Sequence, residues 1–159
     1  MAKEAKTNAM RILERLGIPY TAHTYDSSDG KIDGISVAAK LGQDPRRVFK
    51  TLVTKGKSGG YFVFVLPVEG ELDLKKAAAL VSEKSVAMIP VKDLLKVTGY
   101  VRGGCSPFGM KKLFPTVFDI SAMEYETIIV SGGRIGCQIE APPDALLQAA
   151  QAKAAPCMQ

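Results

Sequence analysis

The chain has 159 residues, 47% of them hydrophobic and 23% charged, and it carries a formal net charge of +5 with an isoelectric point near 9.1. That length and composition suit one globular domain over residues 1–159, and no apolar run approaches the roughly 18 residues that a membrane-spanning helix requires. The positive balance suits a polyanionic partner but is common in proteins that bind no nucleic acid, so it selects no function by itself.

Residues 1–6 include two lysines with no apolar stretch after them, which predicts neither secretion nor a membrane anchor and makes the cytoplasm the expected compartment. Cys105, Cys137 and Cys157 are odd in number, far apart and without a CxxC pair. Three free thiols are expected, with no disulfide framework, no metal site and no cofactor. His23 is the sole histidine, so no histidine metal cluster can form around it, and it reads as a plain strand residue.

Ala5, Ala9, Ile12, Leu13 and Leu16 recur at helical spacing between Thr7, a capping residue, and Gly17, a stop, which predicts a first helix. Residues 20–25 read as a strand, and the polar stretch 26–34 as a mobile loop. A short helix over 36–41 stops at Gly42, and Asp44-Pro45 pairs a cap with a residue suited to a first helical turn. Strands are expected at 48–54 and 61–66 around a hairpin loop at 56–60, the second apolar on both faces as a covered central strand must be. Asp73 caps a helix over 74–80, 85–88 reads as a strand, and Pro90 opens a helix to Leu95. Strands follow at 116–120, 127–130 and 136–139, and Pro142 and Pro143 start a final amphipathic helix. The mixture lacks strict βαβ alternation, so the expected class is α+β: a mixed β-sheet or partly closed barrel flanked by helices.

Several positions could carry chemistry. Period-two alternation puts Lys50 on the strand face of Val48 and Leu52, where a cation either serves a phosphate or polarised carbonyl, or reaches past its neighbours to water. The segment 98–109 holds Gly99, Gly103, Gly104, Gly109 and Pro107; such a loop brings backbone N–H groups close to a ligand or simply makes a tight connection. Ser131-Gly132-Gly133 reads as a two-glycine hairpin turn or a ligand wall. Arg46, Arg47, Arg102, Lys111 and Lys112 either flank one pocket with positive charge or belong to a solvated surface. Cys105 has no base nearby in sequence and is not expected to act as a nucleophile.

Taken together, the segments 48–52, 67–68, 71–77, 98–100, 103–112 and 129–133 resemble, in order and spacing, the YbaK/EbsC family, which is related to the editing insertion of bacterial prolyl-tRNA synthetases; the resemblance runs from about residue 6 to 147. It implies the fold of that family and a deacylase that cleaves the ester of mischarged Cys-tRNA(Pro), with prolyl-tRNA synthetase as a transient partner. By the same resemblance Lys50, Gly103 and Ser131 are the catalytic residues, and Tyr25, Thr51, Gly104, Pro107 and Gly132 bind the substrate. The implied mechanism is substrate-assisted: the cysteine thiol attacks its own ester carbonyl and leaves as a thiolactone, so the protein supplies no nucleophile. Two positions depart from the family pattern, Ile135-Gly136 standing where Arg-Gly is usual and Gln138 where an acidic residue is usual. Two other readings are compatible with the sequence: a deacylase for another small amino acid such as Ala-tRNA(Pro), and a noncatalytic module that binds tRNA or a synthetase.

Overall fold

A computed structural model describes residues 6–159; Ala5 of the first helical pattern lies outside the described residues. Five helices and eight strands follow in the described chain: α1 (Asn8–Arg15), β1 (Thr21–Thr24), α2 (Gly34–Leu41), β2 (Phe49–Gly56), β3 (Tyr61–Pro67), α3 (Leu74–Leu80), β4 (Val86–Met88), α4 (Val91–Thr98), β5 (Thr116–Asp119), β6 (Ile128–Ser131), β7 (Cys137–Ala141), α5 (Pro143–Ala150) and β8 (Lys153–Ala155). Thr7 and Asp73 cap their helices as expected, and Asp33, which the sequence reading did not single out as a cap, opens α2 two residues before the expected start. Thr7 accepts from the Met10 amide, Asp33 from that of Ser36, and Asp73 from those of Lys75 and Lys76, each satisfying donors that a first helical turn leaves unpaired.

The strands form two sheets. The larger has the order β4-β2-β3-β5-β8, antiparallel on the β2–β3 side and parallel from β3 through β8; the smaller is antiparallel, in the order β1-β7-β6. They do not close into a barrel, and the α+β mixture is the one the sequence predicts. β3 explains its own apolar run: Val63 and Val65 face a core with Leu13, Phe118, Ile139 and Leu146, while Phe64 and Leu66 face a second core with Ala77, Val86 and Val117. The small sheet is two-sided in another way. Ile128, Val130, Cys137 and Ile139 pack into the first core. On the opposite face Gln138 and Glu140 turn toward the segment after α2, where the side chains of Gln43 and Arg47 bond to them.

Four details depart from the sequence reading. Ser131 ends β6 and Cys137 begins β7, so their connection is a five-residue loop over 132–136 and not a two-glycine turn. The strand expected at 136–139 is displaced along the chain to Cys137–Ala141. β8 and a 3-10 turn over Ile120–Glu124 have no local signal: Lys-Ala-Ala is a poor strand sequence, and only parallel pairing to β5 makes it one. The 26–34 loop, expected to be mobile, is tied to α2 by Lys40, whose Nζ donates to Asp26 O, Asp29 Oδ1 and Lys31 O.

Candidate active site

The site arises where the two sheets meet. β4 pairs only with residues 54–56 of β2, so the first half of β2 has no strand neighbour on that edge. The small sheet docks there, joined by one parallel bridge between Val48 and Ile129. Beside that bridge lies a cavity of about 610 Å³, walled by β2, the ends of β6 and β7, the 98–109 loop, and the segment from the 26–34 loop into α2.

Five of the residues singled out in the sequence line this one space: Tyr25, Lys50, Thr51, Gly103 and Ser131. They come from four separate segments, Lys50 and Thr51 being neighbours in β2. Gly104, Pro107 and Gly132 are buried and do not line it. Gly104 and Gly132 instead let the walls close up. A Cβ on Gly104 would stand 2.9 Å from Arg134 Cα and 3.0 Å from Ile135 N, so the glycine loop packs backbone to backbone on the β6–β7 loop. A Cβ on Gly132 would meet Cys137 Sγ at 2.6 Å.

Lys50 is half-buried, and among the described residues its Nζ hydrogen-bonds only to Val68 O, at 3.5 Å. Burial pulls its pKa below the ordinary lysine value, with Glu71 opposing the shift. Its neighbour Thr51 has a buried hydroxyl with no hydrogen-bond partner among the described residues. Ser131 Oγ accepts from the Gly133 amide at 3.3 Å. Gly103 sits at φ +85, a left-handed conformation suited to glycine. The Gly104 amide is spent on Val101 O at 2.9 Å, whereas those of Gly103 and Cys105 donate to no acceptor among the described residues. Arg102 stands exposed at the cavity wall, near the α2 cap Asp33.

The other sequence candidates are placed elsewhere. Arg46 pairs with Asp44 on the surface, and Arg47 turns inward to Thr127 and Glu140. Lys111 and Lys112 are exposed and do not line the cavity. His23, read as a plain strand residue, makes a 2.7 Å contact from Nε2 to Glu140 Oε1. Cys105 does line the cavity, but burial pushes its thiol up to about 12, which leaves it protonated at neutral pH and unfit as a nucleophile. Sequence reasoning gave the 26–34 loop no place in the site, though Gly30, Ile32 and Asp33 all line it. Gln138 lines it too, 5% exposed, and its Oε1 accepts from Gln43 Nε2 at 2.9 Å; Ile135 lies on the rim of the adjoining loop.

Among the described lining residues the only carboxylate is Asp33, already bonded to the Ser36 amide and hydroxyl, and there is no histidine. The cavity therefore offers two cations, Lys50 and Arg102, with hydroxyls, an amide and backbone N–H groups: a set that binds and polarises an ester but does not activate a protein nucleophile. Among the described residues no cluster of three or more His, Cys, Asp or Glu could hold a metal ion, and no helix is long and apolar enough to cross a membrane.

The sequence profile of the aminoacyl-tRNA editing domain matches residues 33–149, a span that contains β2, the glycine loop and the β6–β7 hairpin. This chain belongs to the aminoacyl-tRNA editing domain family. The editing domain is 49% identical over 144 residues to a protein of Enterococcus faecalis assigned as Cys-tRNA(Pro)/Cys-tRNA(Cys) deacylase EbsC, covering 91% of this chain and 88% of that one. It is also similar to a proline–tRNA ligase of Fervidobacterium nodosum, 36% identical over 75 residues, which is 47% of this chain and 13% of the ligase. A crystal structure of a protein assigned as a trans-editing enzyme for prolyl-tRNA synthetase superposes with a TM-score of 0.80 at 22% identity, covering 98% and 99% of the two chains. A hypothetical protein of known structure superposes with a TM-score of 0.87 at 21% identity, covering 96% and 99%. At such identities these two matches establish the shared fold, which is the one the resemblance in the sequence implied.

Proposed function

We propose that this editing domain removes cysteine from mischarged Cys-tRNA(Pro), acting in trans in the cytoplasm on tRNA released by, or still near, prolyl-tRNA synthetase. The observation that carries the reading is the convergence of Lys50, Thr51, Tyr25, Gly103 and Ser131 on one cavity that contains no activated protein nucleophile. The sequence relation to EbsC, whose name gives cysteine as the amino acid removed, supports the choice of substrate. Cysteine and proline are close in size, and a difference of about one methylene is worth only about 1–3 kcal/mol in a pocket, so charging alone discriminates poorly and a second sieve is useful.

In this reading the terminal adenosine enters the cavity with Lys50 against its phosphate or the ester carbonyl. The substrate's own sulfur attacks the carbonyl carbon as the thiol proton leaves. The carbon–ribose oxygen bond then breaks, the ribose oxygen takes up a proton, and cysteine departs as a thiolactone that water opens. Backbone N–H groups at Gly103 and Cys105 stabilise the developing oxyanion, while Ser131 and Thr51 orient the aminoacyl end.

The test is discharge of Cys-tRNA(Pro), Cys-tRNA(Cys), Ala-tRNA(Pro) and Pro-tRNA(Pro) by the wild type and by Lys50→Ala. Loss of cysteine from tRNA(Pro), abolished in the variant, supports the proposal. Faster loss of alanine makes this a small-amino-acid deacylase instead. Binding without discharge of any of them makes it a noncatalytic module.

A further inference from the structure

We infer that Lys40 is a positioning residue for the substrate: it holds the 26–34 loop in place as the outer wall of the editing cavity. The inference rests on the proposed reading of that cavity. Lys40 lies in the last turn of α2, and its ammonium donates to Asp26 O at 2.8 Å, Asp29 Oδ1 at 2.7 Å and Lys31 O at 3.0 Å. Three acceptors use the full donor complement of an ammonium. They also span most of the loop.

The bonds inside the loop are all short-range: Ser28 N to Asp26 Oδ1, Lys31 N to Asp29 Oδ1, and Gly30 N to Ser27 O. Such turns set the loop's shape but not where it lies relative to the rest of the fold. Lys40 supplies that placement from the rigid end of a helix. On the loop's inner side Gly30, Ile32 and Asp33 line the cavity, and Ile32 rests on Gly103, where a Cβ would come 2.7 Å from Ile32 Cδ1. Lys40 itself does not line the cavity, so it acts on a bound substrate only through this wall. An arginine is a poor replacement, because its planar fork does not aim three donors at acceptors converging on one point.

The experiment is steady-state discharge of Cys-tRNA(Pro) by the full-length Lys40→Met, Lys40→Arg and Asp29→Asn proteins, with hydrogen exchange followed across the chain. The expected result for Lys40→Met is a KM raised roughly tenfold with kcat within about twofold, and faster exchange confined to 26–34. Lys40→Arg and Asp29→Asn fall between it and the wild type. Faster loop exchange with an unchanged KM in all three overturns the inference, as does a fall in kcat alone. Should Lys40→Met not fold, Asp29→Asn decides by the same criteria. A wild type that discharges no charged tRNA removes the editing reading; the loop is then judged by the Kd for uncharged tRNA(Pro), and an unchanged Kd in the variants overturns its role.

Discussion

Arg47 and Glu140 stand 93 positions apart in the chain and 2.7 Å apart in the fold. The same carboxylate accepts from the Thr127 hydroxyl and meets His23 Nε2, so one side chain ties β1, β7 and the residue before β6 to the turn that leads into β2. Burial alone pushes the Glu140 carboxyl up, but bonds from Thr127, His23 and Arg47 outweigh it and hold the pKa below the usual 4.5. A depressed carboxyl contributes stability above its unfolded pKa and loses that contribution as pH falls through the folded value. Glu140→Gln is therefore expected to cost about 1–3 kcal/mol at neutral pH and to flatten the acid limb of the stability curve. Urea titrations of both proteins between about pH 3 and 7 check this; parallel curves would refute it.

Lys50 carries the opposite sign. Its pKa is lowered by burial, so the unfolded chain binds the proton more readily than the folded one, and the charged form strains the fold at neutral pH. Replacement by methionine should raise the melting temperature by roughly 1–4 °C while abolishing discharge. The alkaline limb of kcat/KM should also begin below the ordinary lysine value of 10.5, and Lys50→Arg, if active at all, should push that limb upward. A methionine variant that is both less stable and inactive would point to a structural role for the amine.

Gly104→Ala should be severe because the atoms in its way are backbone. A Cβ there would lie within about 3.0 Å of Arg134 and Ile135 main-chain atoms, so the two loops must separate. Overpacking of this kind typically costs about 1–3 kcal/mol, and here it opens the cavity wall as well, so both melting temperature and turnover should fall. Gly60→Ala is the control: its nearest neighbours are side-chain atoms at 3.5 Å or beyond, and its stability should stay within about 1 kcal/mol of the wild type.

Thr51→Val separates function from folding. The buried Thr51 hydroxyl has no partner among the described residues, so removing it breaks no hydrogen bond there and should leave stability unchanged or slightly higher. If the hydroxyl orients the aminoacyl end, KM or kcat must suffer by roughly tenfold despite the intact fold. Normal kinetics in a stable Thr51→Val protein would remove the residue from the site.

Where local chemistry decides structure, the sequence was readable. Thr7 and Asp73 announce their helices because a cap acts within three residues, and the run from Tyr61 to Leu66 announces a doubly covered strand because both its faces are apolar. β8 was not readable, since its identity lies in β5, far away in the chain. The same division holds at the site. Lys50 is conspicuous as a cation on an apolar face, but nothing around Lys40 marks it as the anchor of a loop, because its three acceptors precede it by 9–14 residues and two of them are backbone carbonyls. Nor could spacing reveal that Arg47 turns inward, for its partners lie 80 and 93 residues ahead.

The junction at Val48 and Ile129 also bears on how the molecule comes into being. β2 and β3 form a hairpin from neighbouring sequence, but β1 must wait for β7, with Thr21 opposite Glu140, before the smaller sheet exists. Pairings that close such long loops pay their entropy late and fold slowly. Lys50 and Ser131 belong to different sheets and meet only after both have docked. In a refolding time course, helical signal and core burial should therefore return ahead of ester discharge, and a half-folded chain should be unable to strip correctly charged tRNA.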